Sequence, residues 1–334
     1  MTAYRTYLLR RLGQFVLVVF IGINITFIIT HATPIDPVEQ TIAASTSFGS
    51  TSPQAIALMR QSLRELYGLE GGLVQQYLAF WRRMALGDFG PSLSAFPTPV
   101  SVLIWRALPW TAGLLCFATV LAWCLGNLLG GLAGYYRDSR LLRLSGILAM
   151  GFHPIPYYIV AFVLLIVFGY LWPVLPISGG AQMNLPRGFD IRFIASVLLH
   201  SILPALSLVL VGTGGWFMGM RSLVSNIVSE DYVAYAELGG VSPRRILRSY
   251  VMRNALVPQV TGLAISLGGI FNGAIITEQV FGYPGIGTLL VDAVHAGDYS
   301  LVLGIATVSI IAVASSVLLI DLAVPLLDPR VKAR

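Results

Sequence analysis

Few residues in this chain are of a type that does chemistry, and their spacing assembles no reactive centre. The four histidines, His31, His153, His200 and His295, fall in different segments. Neither H-E-x-x-H nor C-x-x-C occurs, so no metal set is suggested. The one lysine, Lys332, lies third from the end with no glycine-rich turn before it. A phosphate-binding loop of the G-x-x-x-x-G-K-[ST] type is therefore absent. Gly282, Gly285 and Gly287 superficially resemble a dinucleotide fingerprint, but they follow an apolar run and lack a strand–helix–strand context. Cys116 and Cys124 are eight residues apart in one apolar run, more than two helical turns, and read as small packing residues. Acids placed to carry ions across a bilayer are scarce. Glu278 is expected at the outer end of an apolar run and Asp321 near the inner end of another. Gly212, Gly214 and Gly215 would loosen a helix, but no acid accompanies them. No nucleophile, base and ligand cluster together, which argues against an intramembrane enzyme.

Composition explains the scarcity. Of 334 residues, 56% are hydrophobic and 11% charged, and the mean hydropathy is +0.79. Soluble domains carry about 25% charged residues. A soluble enzyme, a nucleic-acid-binding module and a disordered chain are thereby disfavoured. The expectation is an all-α polytopic membrane protein. Six stretches are long and apolar enough to cross a bilayer: 12–30, 107–136, 144–172, 193–220, 254–277 and 299–327. The first has a basic start, but its apolar run is too long for a secretory signal and reads as a retained anchor.

Six spans put both termini on one side, and the distribution of Arg and Lys among the loops selects it. Fourteen basic residues fall on the side of the termini and of the loops after spans two and four. Seven fall opposite, five of them in or just after one long loop. Excess Arg and Lys mark the cytoplasmic face, so both termini and the 221–254 loop are expected there. The expected organisation is a cytoplasmic amino terminus with span one (1–30), an extracytoplasmic segment (31–106) and a membrane core of spans two to six (107–334) that includes the 221–254 loop.

Two loops stand out. The outer one carries a predicted helix over 54–67, opened by Ser52-Pro53 as cap and first-turn proline. It also places Tyr77, Phe80, Trp81 and Met84 at helical spacing, and reads as a small lid on the membrane surface. The inner loop predicts two helices. Residues 230–238 begin with Glu230 and Asp231, favourable in a first turn, and stop at Gly239-Gly240. Ser242 is then a suitable N-cap and Pro243 a suitable first residue of a helix over 243–254. That helix has an apolar stripe (Ile246, Leu247, Tyr250, Val251) and a basic patch (Arg244, Arg245, Arg248). Such a helix–glycine–helix elbow serves either to dock a partner or to lie on anionic headgroups.

The elbow resembles the cytoplasmic coupling loop of ABC importer permeases in the dipeptide/oligopeptide/nickel branch. The likeness rests on Ala236 four residues before Gly240, then Ser242-Pro243-Arg244-Arg245, then Arg253-Asn254-Ala255-Leu256-Val257-Pro258. Supporting stretches run the length of the chain: Tyr7 to Arg11, Asp36-Pro37, Glu278-Gln279-Val280-Phe281, Pro284-Gly285-Ile286-Gly287, Asp298-Tyr299 and Leu327-Asp328-Pro329-Arg330. Departures lie at Ala234, where the pattern has glutamate, and at Glu237, Leu238 and Gly239.

The resemblance implies the type I importer permease fold in a bacterial inner (plasma) membrane. It implies a second, homologous permease, two cytoplasmic ATPase subunits and an extracytoplasmic solute-binding protein, besides membrane lipid. No nucleic acid is implied, and no cofactor in this chain, since ATP and magnesium belong to the ATPases. Ala236, Glu237, Gly240, Ser242, Pro243, Arg244 and Arg245 become the expected ATPase-contact or shape residues. Arg248 and Arg253 read rather as topology and headgroup residues. Peptides are the default solute of the branch, nickel being another. The stretches 258–263 and 281–284 look more like members that handle oligosaccharides or glycosides. Tyr157, Tyr158, Trp172 and Trp216 would stack on sugars in that case, or else pack helices and line the interface. The competing reading is a self-sufficient ion- or proton-coupled transporter.

Overall fold

A computed structural model of the chain describes residues 2–32, 38–39, 42–43, 52–67, 71–186, 188, 190–269 and 274–327. Asp36-Pro37, Asp328 to Arg330, Lys332, Arg334 and Arg187 lie outside the described residues, as do the side chains of Arg5 and His31. The described residues are helical, with one isolated bridge between Pro91 and Pro99. The helices are α1 (Thr2–Ala32), α2 (Pro53–Tyr67), α3 (Leu73–Ala85), α4 (Val100–Tyr135), α5 (Arg140–Phe152) and α6 (Tyr157–Leu171). There follow α7 (Ile191–Ile227), α8 (Asp231–Leu238), α9 (243–268), α10 (Ile275–Val280), α11 (Ile286–His295) and α12 (Tyr299–Leu327).

Four helices, α1, α4, α7 and α12, are long and apolar enough to cross a membrane, and a fifth span results if α5 and α6 count as one. Their exposed faces are apolar, with Val16, Ile28, Phe117, Leu128, Leu198 and Leu319 all open. Such rows suit hydrocarbon, not water. Cys116 and Cys124 lie exposed on α4 and are unpaired thiols.

The expected single span over 144–172 is corrected: α5 and α6 meet at an angle of 102°. Pro154 and Pro156 occupy the break, where a proline ring cannot donate a backbone hydrogen bond. The expectation that Gly212, Gly214 and Gly215 loosen span four is also corrected, because α7 is one unbroken helix of 37 residues. These glycines serve packing. A Cβ on Gly214 would collide with the Ala149 carbonyl and the His153 side chain, so glycine lets the bent pair lie directly on α7. α4 also packs closely on α7, through Gly126, Gly130 and Gly134, which recur every four residues. A Cβ there would meet Thr213 O at 2.8 Å, the Phe217 carbonyl and Arg221 O at 2.9 Å. Small residues at this spacing let membrane helices approach backbone to backbone.

The chain divides into two compact units, Met1–Trp110 with Pro284–Ser315, and Thr111–Tyr283 with Ser316–Arg334. In the first, the aromatic stripe of α3 packs on α1. Phe20 stacks on Trp81, Phe27 meets Tyr77 and Phe80, and the Tyr77 hydroxyl donates to Asn24 Oδ1 at 2.7 Å. α2 opens as the sequence predicts, with Ser52 Oγ accepting from Ala55 N at 3.3 Å. Arg60 pairs both carboxylate oxygens of Glu39. The fully buried carboxylate of Asp298 caps α12 by accepting from Leu301 N. Its other oxygen accepts from Ser92 Oγ, Ser94 N and Ser94 Oγ. One acid thus pins the 91–99 turn to the start of the last helix. The second unit holds the elbow.

Candidate coupling site

The elbow stands between α7 and α9. α7 extends two turns past the expected end at Met220, to Ile227, and a short turn leads into α8. Glu230 occupies the N-cap of α8 in extended conformation, and Asp231 supplies negative charge to its first turn. α8 buries one face. Val233 and Ala236 join Met220 and Val224 of α7 and Ile246, Val251 and Ala255 of α9 in one buried cluster. Burying a Val or Ile side chain contributes roughly 1.5–3 kcal/mol, so this cluster makes the elbow a stiff body rather than a loose loop.

α8 ends in a defined stop. Val241 N donates to Ala236 O at 3.1 Å, and Gly240 N donates to Glu237 O at 3.0 Å. This pair of crossed bonds is the Schellman pattern, which requires a left-handed residue between them. Gly240 supplies it with φ +75°, whereas Gly239 has an ordinary φ of −75°. Of the glycine pair, only Gly240 is required by backbone geometry. Val241 packs against the same cluster as Ala236, which closes the motif.

Ser242 then starts the second arm. Its backbone is extended as an N-cap demands, but its hydroxyl makes no capping bond. Its carbonyl accepts from Arg245 N and Ile246 N at 2.9 and 3.0 Å, and Pro243 sits at the first helical position. The expected helix end at Asn254 is corrected. Pro243–Arg245 is α-helical, Ile246–Met252 is π-wound, and Arg253–Gly268 is α-helical again, all in helical backbone. The second arm of the elbow is therefore the amino-terminal end of one long helix.

Polar contacts from α8 and α4 brace this helix. Asn254 Nδ2 donates to Tyr232 Oη at 3.1 Å, tying α8 to α9, and also to Tyr250 O, one turn back on α9, at 2.7 Å. Tyr135, at the end of α4, donates to Pro243 O at 3.3 Å. Further along, Trp123 Nε1 donates to Gln259 O at 2.9 Å.

The expected contact residues separate into two groups. Ala236 is buried beneath the elbow, in a shape-giving position. Glu237, Gly240, Ser242, Pro243, Arg244 and Arg245 are exposed together at its tip. Tyr235 and Leu238 share that tip, 74% and 86% exposed. Sequence reasoning passed over them, although their spacing of three places them on the α8 face opposite Val233 and Ala236. An apolar pair beside one acid and two arginines suits a protein groove better than bulk water.

The remaining chemistry-bearing residues have packing roles. The fully buried Glu278 accepts from Thr111 Oγ1 at 2.7 Å. It lies in the short helix α10, which ends in a second Schellman stop at Gly282, with φ +51°. That accounts for the first glycine of the apparent nucleotide pattern. Trp216 lies against Gly126 and Gly262, filling the space between α4 and α9. Burial raises the Tyr283 phenol above its ordinary value, with the nearby Glu278 charge adding to this and the hydrogen bond to Ser201 at 3.0 Å opposing it. Among the described residues, no three His, Cys, Asp or Glu side chains are grouped to hold a metal.

Comparison with known proteins identifies the family of the chain. Residues 126–333 match the family model described as the binding-protein-dependent transport system inner membrane component. The chain is 31% identical to the dipeptide transport system permease protein DppB of Escherichia coli strain K12, over 98% of each chain. It is 28% identical to the oligopeptide transport system permease protein AppB of Bacillus subtilis strain 168, over 94% of this chain and 95% of that one. It is 25% identical to the dipeptide permease DppB of Lactococcus lactis subsp. cremoris, over 98% and 99%. The chain belongs to the binding-protein-dependent transport system inner membrane components, the permeases of ABC importers.

Proposed function

We propose that this permease forms half of a solute pathway and is worked from the cytoplasm by separate ATPase chains. The observation that carries the reading is the exposed elbow tip mounted on α9. A groove that grips Tyr235, Leu238 and Ser242 to Arg245 holds the lever of an entire helix. Six spans serve the pathway: α1, α4, the bent pair α5–α6, α7, α9 with α10, and α12. Both termini and the elbow face the cytoplasm, and the segment 31–106 is an outer lid. A second, homologous permease completes the pathway. Two ATPases bind ATP and magnesium, and an extracytoplasmic binding protein delivers the solute. ATP binding draws the ATPases together, the elbows move with them, and the helices alternate between outward and inward access.

The solute is a peptide, supported by the dipeptide and oligopeptide names of the relatives above. The sugar reading finds no support among those relatives, and Trp216 is engaged in helix packing. Ion coupling by this chain alone is disfavoured by the acids themselves: Asp298 is engaged as a helix cap and Glu278 by Thr111. The test is uptake of labelled di- and oligopeptides into proteoliposomes. Uptake is expected only with both permeases, both ATPases, binding protein and ATP. Gradient-driven uptake by this chain alone overturns the proposal.

A further inference from the structure

We propose that an anionic phospholipid headgroup binds in the groove between α4 and α9, held by Arg248 and Arg253. The inference rests on the cytoplasmic placement of the elbow given above. The groove has a volume of about 560 Å3 and is open on one side. Its walls are Leu128, Leu132, Leu247, Met252 and Leu256, and its polar rim is Arg248, Ser249 and Arg253. No acid lines it. Small-molecule sites occupy about 300–1,000 Å3, so a headgroup with the start of its acyl chains fits.

Helix winding brings the two arginines together. At 3.6 residues per turn, positions five apart on an α-helix point about 140° away from each other. A π-turn bonds each residue to the one five along, so positions i and i+5 lie nearly above one another. The segment Ile246–Met252 is π-wound, which turns Arg253, the residue just after it, closer to the face of Arg248, and both arginines rim one groove. Both guanidiniums are exposed and make no hydrogen bond or ion pair with any protein group among the described residues. Two unpaired guanidiniums and a hydroxyl above leucine walls complement a phosphodiester with acyl chains: the forks match phosphate oxygens, and the walls match hydrocarbon. An acidic protein segment would satisfy the rim but would gain nothing specific from walls that run into the membrane. The site also sits on the π-wound stretch that joins the elbow to the span, so a bound headgroup would contact the lever where the two meet.

The test uses the complete transporter in nanodiscs of phosphatidylcholine with increasing phosphatidylglycerol, with retained lipid counted by native mass spectrometry. Wild type is expected to retain phosphatidylglycerol preferentially. R248Q/R253Q is expected to lower that preference about twenty-five-fold, since each basic residue at an anionic surface contributes about fivefold. R244Q/R245Q removes the same charge from the elbow tip and is expected to keep the bound lipid. S249W fills the groove, leaves both arginines in place, and is expected to lose the lipid. Unchanged preference in R248Q/R253Q, or retention in S249W, overturns the proposal. So does photocrosslinking from position 249 to a protein chain instead of lipid. Co-purification of the ATPases, scored in the same samples, reports separately on the functional reading.

Discussion

Substitution at Gly240 separates backbone geometry from contact at the elbow. The residue has φ +75°, and a Cβ built there meets nothing within 4 Å. Side-chain sterics with the surroundings are therefore absent, and the cost of a substitution is that of the left-handed backbone alone. For alanine this is about 1–2 kcal/mol. For asparagine it is smaller, since its short polar side chain tolerates this region. Proline cannot reach the conformation at all, because its ring holds φ near about −65°. It also deletes the N–H that donates to Glu237 O at 3.0 Å. Rebuilding the turn breaks the Val241 to Ala236 bond as well. At about 1 kcal/mol per bond, added to the backbone term, G240P costs about 3 kcal/mol, a shift of roughly a hundredfold in the elbow's local equilibrium. The assay is peptide uptake per ATP hydrolysed by the reconstituted transporter, with amide exchange at Val241 as the local probe. The expected order is wild type, G240N, G240A, G240P, with membrane insertion unchanged throughout. Full uptake by G240P, or G240N worse than G240A, would refute the reasoning.

Three other substitutions probe separate parts of the structure. G130A drives a methyl group into the Phe217 carbonyl, an overpacking worth about 1–3 kcal/mol, and should lower the detergent melting temperature by several degrees. D298A removes the acceptor of Ser94 N and Leu301 N and the carboxylate that both Ser92 Oγ and Ser94 Oγ donate to, leaving those hydroxyls only each other and Ala95 N. At a cost of about 3 kcal/mol it should expose the 91–99 turn to protease, with D298N partly restoring protection. Y235A/L238A removes only exposed surface, so the melting temperature should hold while the ATPases co-purify at least tenfold less.

The apolar runs were legible because the bilayer demands length and charge-free composition, and α1, α4, α7 and α12 follow them closely. The Ser52-Pro53 start, the Glu230–Asp231 start and the glycine stop of the elbow were legible from local chemistry. What the sequence concealed depends on neighbours. Gly214 looks like a weak point until the Ala149 carbonyl is seen against it. The π-wound stretch from Ile246 to Met252 carries no pattern of its own, so the continuity of the elbow with α9 was hidden by the change in polarity near Asn254. The break at Pro154 and Pro156 was written in the residues, but its 102° angle, with α5 and α6 both packed on α7, was not. Tyr235 and Leu238 were masked by the more conspicuous arginines beside them.

The central claim is that the elbow is gripped from the cytoplasm by another chain. The direct measurement is L238C in a chain with Cys116 and Cys124 replaced by alanine, tested in inside-out and right-side-out vesicles holding the whole transporter. The account predicts a thiol crosslink to an ATPase subunit and labelling by impermeant maleimide only in inside-out vesicles. Labelling only in right-side-out vesicles, or no ATPase crosslink at any stage of the ATP cycle, would contradict it.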